Sequence, residues 1–139
     1  MKGNQFYIVD VFAEKKYAGN QLAIFRDGYK FSDEEMHLIA KEMHFSETTF
    51  ILSDTPENDG YNVRIFTPER EVPFAGHPTL GTAYIIQKEI INKSMKKVTL
   101  NLKVGQIPVD LHYKNGELDE LVMKQKEPTF GSELSIDSL

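Results

Sequence analysis

Four places in the sequence hold residue types that can do chemistry. Glu47 follows Phe45-Ser46 at the join between a helix-like and a strand-like segment. A carboxylate partly withdrawn from water holds its proton more readily, which suits it to give and take protons. A solvent-facing Glu at a strand start is the other reading of the same position. His77 stands after Ala75-Gly76 and before Pro78, where a helix begins. Backbone N–H groups at such an end can bind an anion such as a substrate carboxylate, and Gly76 lets a ligand approach closely. An ordinary helix cap explains the same residues. Gly19-Asn20 is a tight turn or a cleft-side element, and Asp10 shares a strand face with Phe6, Ile8 and Phe12. If that face is core, Asp10 needs a partner, either a backbone amide or His77.

Metal and thiol chemistry find less support. His37 and His44 lie seven apart on one helix, about 10.5 Å along its axis, too far to share an ion. Both read as solvent-facing or capping residues. His112 alternates with apolar neighbours in a strand and has no carboxylate pair at metal-site spacing. No metal is expected. There are no cysteines, which removes disulfides, thiolate-zinc sites and a Cys nucleophile together.

The elements that must position these residues follow from periodicity. Gln5 to Phe12 alternates with period two and reads as a strand buried on both faces, and Gln21 to Phe25 reads as a second. Phe31 to His44 is a surface helix: Ser32 caps it, Glu35 completes a capping box, Phe31 staples to Met36, and Met36, Ile39, Ala40 and Met43 line its apolar face. Thr48 to Leu52 and Tyr61 to Thr67 read as strands separated by turn material, and Pro68 and Pro73 bracket an extended polar connection. From His77 the pattern changes. Pro78 stands where the first helical residue belongs, and Leu80, Ala83, Tyr84, Ile85, Ile86 and Ile90 cover nearly the whole circumference. A helix apolar all round must be buried, so strands are expected to wrap around it. Val98 to Val104, Gln106 to Tyr113 and Glu117 to Lys126 supply further strands, the last two joined by Asn115-Gly116, a strong hairpin signal.

The chain has 139 residues, enough for one domain with little to spare. Lys and Arg total 16 against 21 Asp and Glu, a net charge of −5, so nucleic acid is not an expected partner. No apolar run approaches the roughly 20 residues of a membrane span, and a soluble cytoplasmic protein is expected.

Three segments in order carry a resemblance: Gly19-Asn20-Gln21-Leu22-Ala23, then Ser46-Glu47-Thr48-Thr49-Phe50, then Phe66-Thr67-Pro68 with Val72-Pro73-Phe74-Ala75-Gly76-His77-Pro78-Thr79-Leu80-Gly81. Together they resemble the phenazine-biosynthesis PhzF-like family, relatives of the diaminopimelate epimerases in fold, from about Phe6 to Phe130. The resemblance implies an α+β fold, a mixed and mostly antiparallel sheet curled around one central helix. It also implies isomerase chemistry without metal or organic cofactor. Glu47 matches the family's acid/base carboxylate, and His77 a histidine of the same cleft. Gly76 with the helix start at His77, Pro78 and Thr79 matches a substrate-anion site, and Asn20 the cleft-side Gly-Asn element. Asp10 fits the first-strand pattern without an assigned role.

The family has two such domains facing each other, and this chain is expected to hold the first. Residues 1–131 would form it, and 132–139 would begin an inter-domain connection or tail. The leading expectation is an isomerase in which Glu47 moves a proton on a small anionic substrate, the cleft completed by a second domain or a second copy in a homodimer. The alternative is a catalytically incomplete half that serves as a small-anion-binding or interaction module.

Overall fold

The structure is a computed structural model and describes residues 5–11 and 20–123. Its strands are β1 (Phe6–Val11), β2 (Asn20–Phe25), β3 (Glu47–Ile51), β4 (Tyr61–Phe66), β5 (Glu71–Val72), β6 (Lys97–Leu102), β7 (Gly105–Lys114) and β8 (Glu117–Met123). Among the described residues two α-helices interrupt them, α1 (Asp33–Met43) and α2 (Gly76–Ile85). The strands form one sheet in the order β1-β2-β3-β4-β6-β7-β8, with the short β5 also on β4. Among the described residues only β2–β3 and β4–β6 pair in parallel. The sheet is therefore mixed and mostly antiparallel, as expected.

Helix α2 is the reason the sheet curls. Pro78 to Ala83 and Ile85 are buried, and the helix touches β1 and β8, the two ends of the strand order, as well as β2, β3 and β6. Leu80, Ala83, Ile85 and Ile86 pack in one core with Leu22, Ile24, Ile51, Val63, Ile65, Leu100 and Val109. Gly81 permits this approach, because a Cβ there would stand 2.7 Å from Leu22 Cδ2 and 2.9 Å from Val11 Cγ2.

A second core lies on the opposite face of β2, β3 and β4. Met36 and Ala40 of α1 close over Ala23, Phe25, Phe50 and Phe66, with Phe31 at the edge. Helix α1 begins as its sequence predicts: the Glu35 N–H donates to Ser32 Oγ at 3.1 Å and the Ser32 N–H to Glu35 Oε1 at 2.8 Å. The Asn115-Gly116 hairpin is also present, both residues having positive φ, 55° and 80°.

Three details differ from the sequence reading. Strand β1 is not buried on both faces: Phe6 and Ile8 are 47% and 49% exposed, and Asp10 is exposed beside them. The cause is position, because β1 is an edge strand and the α1 layer covers only β2 to β4. Asp10 therefore needs no buried partner. Second, Pro78 is the third helical residue. Ala75 is extended (φ −156°, ψ 139°), so the helix starts at Gly76. Its missing N–H costs nothing there either, being one of the groups a first turn leaves without a helical acceptor. Third, α2 runs on into a π-helical turn at Ile86–Ile91, closed by Asn92 in the left-handed region. The wider turn brings both Ile90 and Ile91 against the core beside Ile86. The last residues expected in β8, up to Lys126, and the connection at 132–139 lie outside the described residues.

The two halves of the sheet meet at a short seam. β4 and β6 share two register pairs, Tyr61 with Leu100 and Asn62 with Asn101. A chain of amides supports it: Asn101 Nδ2 donates to Asn62 Oδ1 (2.9 Å) and to the Glu57 carbonyl (2.8 Å), and Gln106 Nε2 donates to Asn101 Oδ1 (2.8 Å).

Candidate active site

Side chains alternate along a strand, so Glu47, Thr49 and Ile51 of β3 share one face. Ile51 packs in the α2 core and the Thr49 hydroxyl meets that of Thr82 on α2 at 2.8 Å, which fixes this face as the one toward the helix. Glu47 is thereby aimed at the start of α2. His77, the second helical residue, brings Nε2 to 2.8 Å from Glu47 Oε1, the two side chains being 15% and 18% exposed. The two atoms stand within ion-pair distance, a contact that is ionic when the imidazole is protonated, and their approach falls short of hydrogen-bond alignment. A solvent-facing Glu47 is thus excluded.

The end of the helix adds to the electrostatics. Its N-cap is Ala75, which supplies no side-chain acceptor, and its first turn carries no acid. The Gly76 and His77 N–H groups stand at the positive pole of the helix, where an anion is favoured. Gly76 and His77 are half-buried, with Pro78 and Thr79 buried beneath them. The Thr79 hydroxyl donates to the Ala75 carbonyl at 2.7 Å and its N–H to the same oxygen at 3.3 Å, which ties the first turn down. A carboxylate, an imidazole and a helix N-terminus therefore converge on one spot. That set can take a proton from carbon and hold the negative charge left behind.

The other sequence candidates lie elsewhere. Asn20 opens β2 opposite Val11, and its side chain, like Gly19, lies outside the described residues. His37 is half-buried, with Nε2 3.2 Å from the Pro68 carbonyl, and His44 ends α1 with φ 60°. His112 is exposed. Among the described residues no three His, Asp or Glu side chains gather as metal ligands would.

The sequence reading missed the Thr49–Thr82 pair. Both residues are fully buried. Its only trace in the sequence is a threonine two places after Glu47 and another within a largely apolar helix, and no spacing rule joins residues 33 apart.

Comparison with known proteins identifies the family. Residues 9–137 match the phenazine biosynthesis-like protein family. The trans-2,3-dihydro-3-hydroxyanthranilate isomerase of Pseudomonas aeruginosa is 38% identical over 128 residues, which cover 91% of this chain and 44% of that protein. A PhzF-family phenazine biosynthesis protein of Bacillus anthracis superposes with a TM-score of 0.73 at 31% identity, over 88% of this chain and 40% of that one. A hydroxyproline epimerase of Agrobacterium vitis shares the fold alone, with a TM-score of 0.64 at 11% identity, over 86% of this chain and 40% of that one. The chain thus spans less than half the length of the relatives it matches. With the epimerase-like α+β fold, the ordered motifs and a family match over nearly the whole sequence, the chain belongs to the phenazine biosynthesis-like (PhzF) family.

Proposed function

We propose that this chain forms one half of an isomerase that moves a proton on a small anionic substrate, with Glu47 as the general acid/base. The observation that carries the reading is the 2.8 Å approach of His77 to Glu47 at the positive end of α2. The Glu47 carboxylate takes a proton from a carbon beside an unsaturated or carboxylate-bearing group. The electron pair of that C–H bond spreads into the neighbouring group, and the N–H groups of Gly76 and His77 stabilise the charge. Glu47, now protonated, returns the proton to a different carbon, so the substrate is isomerised and the enzyme restored. His77 orients the substrate and the carboxylate together.

The relative from Pseudomonas aeruginosa is named for trans-2,3-dihydro-3-hydroxyanthranilate, an anionic and partly saturated ring acid. That compound is the first probe. The open side of the site is completed by a second domain, as the greater length of the relatives suggests, or by a second copy of this chain. Light scattering after gel filtration separates these: a dimer supports the second copy, and a monomer of 15.9 kDa leaves the second domain.

The deciding experiment follows deuterium from solvent into the probe. Incorporation is expected with the parent protein and should fall by about 10² to 10⁴ in Glu47→Gln, which keeps the volume and removes the basicity. If that variant folds and exchanges at the parent rate, the assignment is wrong. Binding without any exchange in the parent would favour the half-site as an anion-binding module.

A further inference from the structure

We infer that Thr49 and Thr82 are positioning residues for the Glu47–His77 site, their buried hydroxyl pair holding α2 against β3 in the setting that brings imidazole onto carboxylate. The inference rests on the acid/base reading of Glu47. Both threonines are fully buried, and their Oγ1 atoms lie 2.8 Å apart.

The geometry links the two contacts. Glu47 and Thr49 are two residues apart on one strand face, about 6.7 Å along β3. His77 and Thr82 are five residues apart on α2, about 7.5 Å along its axis. The two spans are similar in length, and both contacts are made at once. Around the axis, however, His77 and Thr82 leave the helix about 140° apart. A turn of the helix that Thr82 did not resist would carry the imidazole across the carboxylate.

Apolar packing resists such a turn by shape but gives the helix no directional bond. The rest of the α2 surface is held by non-directional contacts among Leu80, Ala83, Ile85 and their neighbours. The Thr79 hydroxyl is occupied within the helix by the Ala75 carbonyl. Gly81 lets β1 and β2 press close through Val11 and Leu22 but offers no side chain to fix an angle. The next residue, Thr82, makes the directional bond, and makes it to the strand that carries Glu47. A rotation of about 10° moves an atom some 6 Å from the axis by about 1 Å. Displacement on that scale can cost about 10²-fold in rate.

The test reads His77 directly, in the 139-residue chain, from the ¹⁵N shifts of its imidazole, which report the ring's protonation and its partner. Glu47→Gln sets the signature of a lost contact. Thr82→Val and Thr49→Val, each nearly isosteric and lacking the hydroxyl, should move the His77 signals in that same direction. Thr82→Ser, which keeps the hydroxyl, should leave them near the parent position. Deuterium incorporation should fall by about 10- to 100-fold in Thr82→Val and recover in Thr82→Ser. Should either Val variant fail to fold, the Thr49→Val/Thr82→Val double variant, which leaves no orphaned hydroxyl, gives the same reading. A His77 signature unchanged in folded Val variants, with stability alone reduced, overturns the inference. So does a double variant that cannot fold while Thr82→Ser does, since the pair would then serve stability only. If Glu47→Gln itself leaves the His77 signals unmoved, the contact beneath both readings is at fault and both fall together.

Discussion

Arg64, half-buried on β4, gathers two carboxylates. Its Nε and Nη2 donate to the two oxygens of Glu71 at 2.8 Å each, and Nη1 donates to Asp33 at 2.7 Å. Lys103 adds a contact to Glu71 at 3.0 Å. The Asp33 side chain is 81% exposed and its share is screened by water, whereas that of Glu71 is 14% exposed. The hydrogen bonds from Arg64, helped by Lys103 and opposed by desolvation, hold the Glu71 carboxyl below its ordinary value of 4.5. A carboxylate depressed in the folded state binds fewer protons there than in the unfolded chain. Its contribution to stability is therefore present above about pH 4.5 and lost as pH falls through the lower folded value. Urea midpoints measured from pH 6 to pH 3 should drop further in the parent than in Glu71→Gln, and equal drops would show that the pair adds nothing. At this scale the sequence was uneven. Glu47 and His77 were legible because each lies inside a run whose residues and order are distinctive. The first strand was misread as buried on both faces because alternation gives a strand two faces without saying which has a layer over it.

Helix α1 was legible at its start because a capping box is local, its donors and acceptors three residues apart in sequence. Helix α2 was legible as buried because its apolar residues leave no polar face. Its details were not, since the first helical residue depends on the extended Ala75, and the π turn depends on where the core needs Ile90 and Ile91. Gly81 shows packing overruling propensity. Alanine is favoured over glycine within a helix by about 1 kcal/mol. Here its Cβ would meet Leu22 and Val11 inside 3.0 Å, in a core where Leu22 is fully buried. Overpacking of this kind costs about 1 to 3 kcal/mol, so Gly81→Ala should be net destabilising. A urea midpoint at or above the parent's would mean that the helix can move away from β1 and β2. Ile86, fully buried beside it, should lose about 2 to 5 kcal/mol on truncation to Ala. A change within about 0.5 kcal/mol would place that side chain outside the core.

For the molecule as a whole, the seam between β4 and β6 has a consequence for cooperativity. Two register pairs and a few amide bonds join strands β1 to β5 to the antiparallel strands β6 to β8, while α2 touches strands of both. The helix is therefore expected to couple the halves along with the ladder, so that what opens together depends on whether α2 is docked. Native-state amide hydrogen exchange can read this. In the parent, amides of β3 and of β7 should share one opening free energy. In Ile86→Ala, which loosens the helix, the two sets should separate, while Ser32→Ala, which weakens only the cap of α1, should leave them together. Separation in both variants, or in neither, would mean that the seam and not the helix couples the halves. A chain built this way opens along the β4–β6 line, and the Glu47–His77 contact joins the helix to β3 on one side of it, so protection at the site is expected to track the docking of α2.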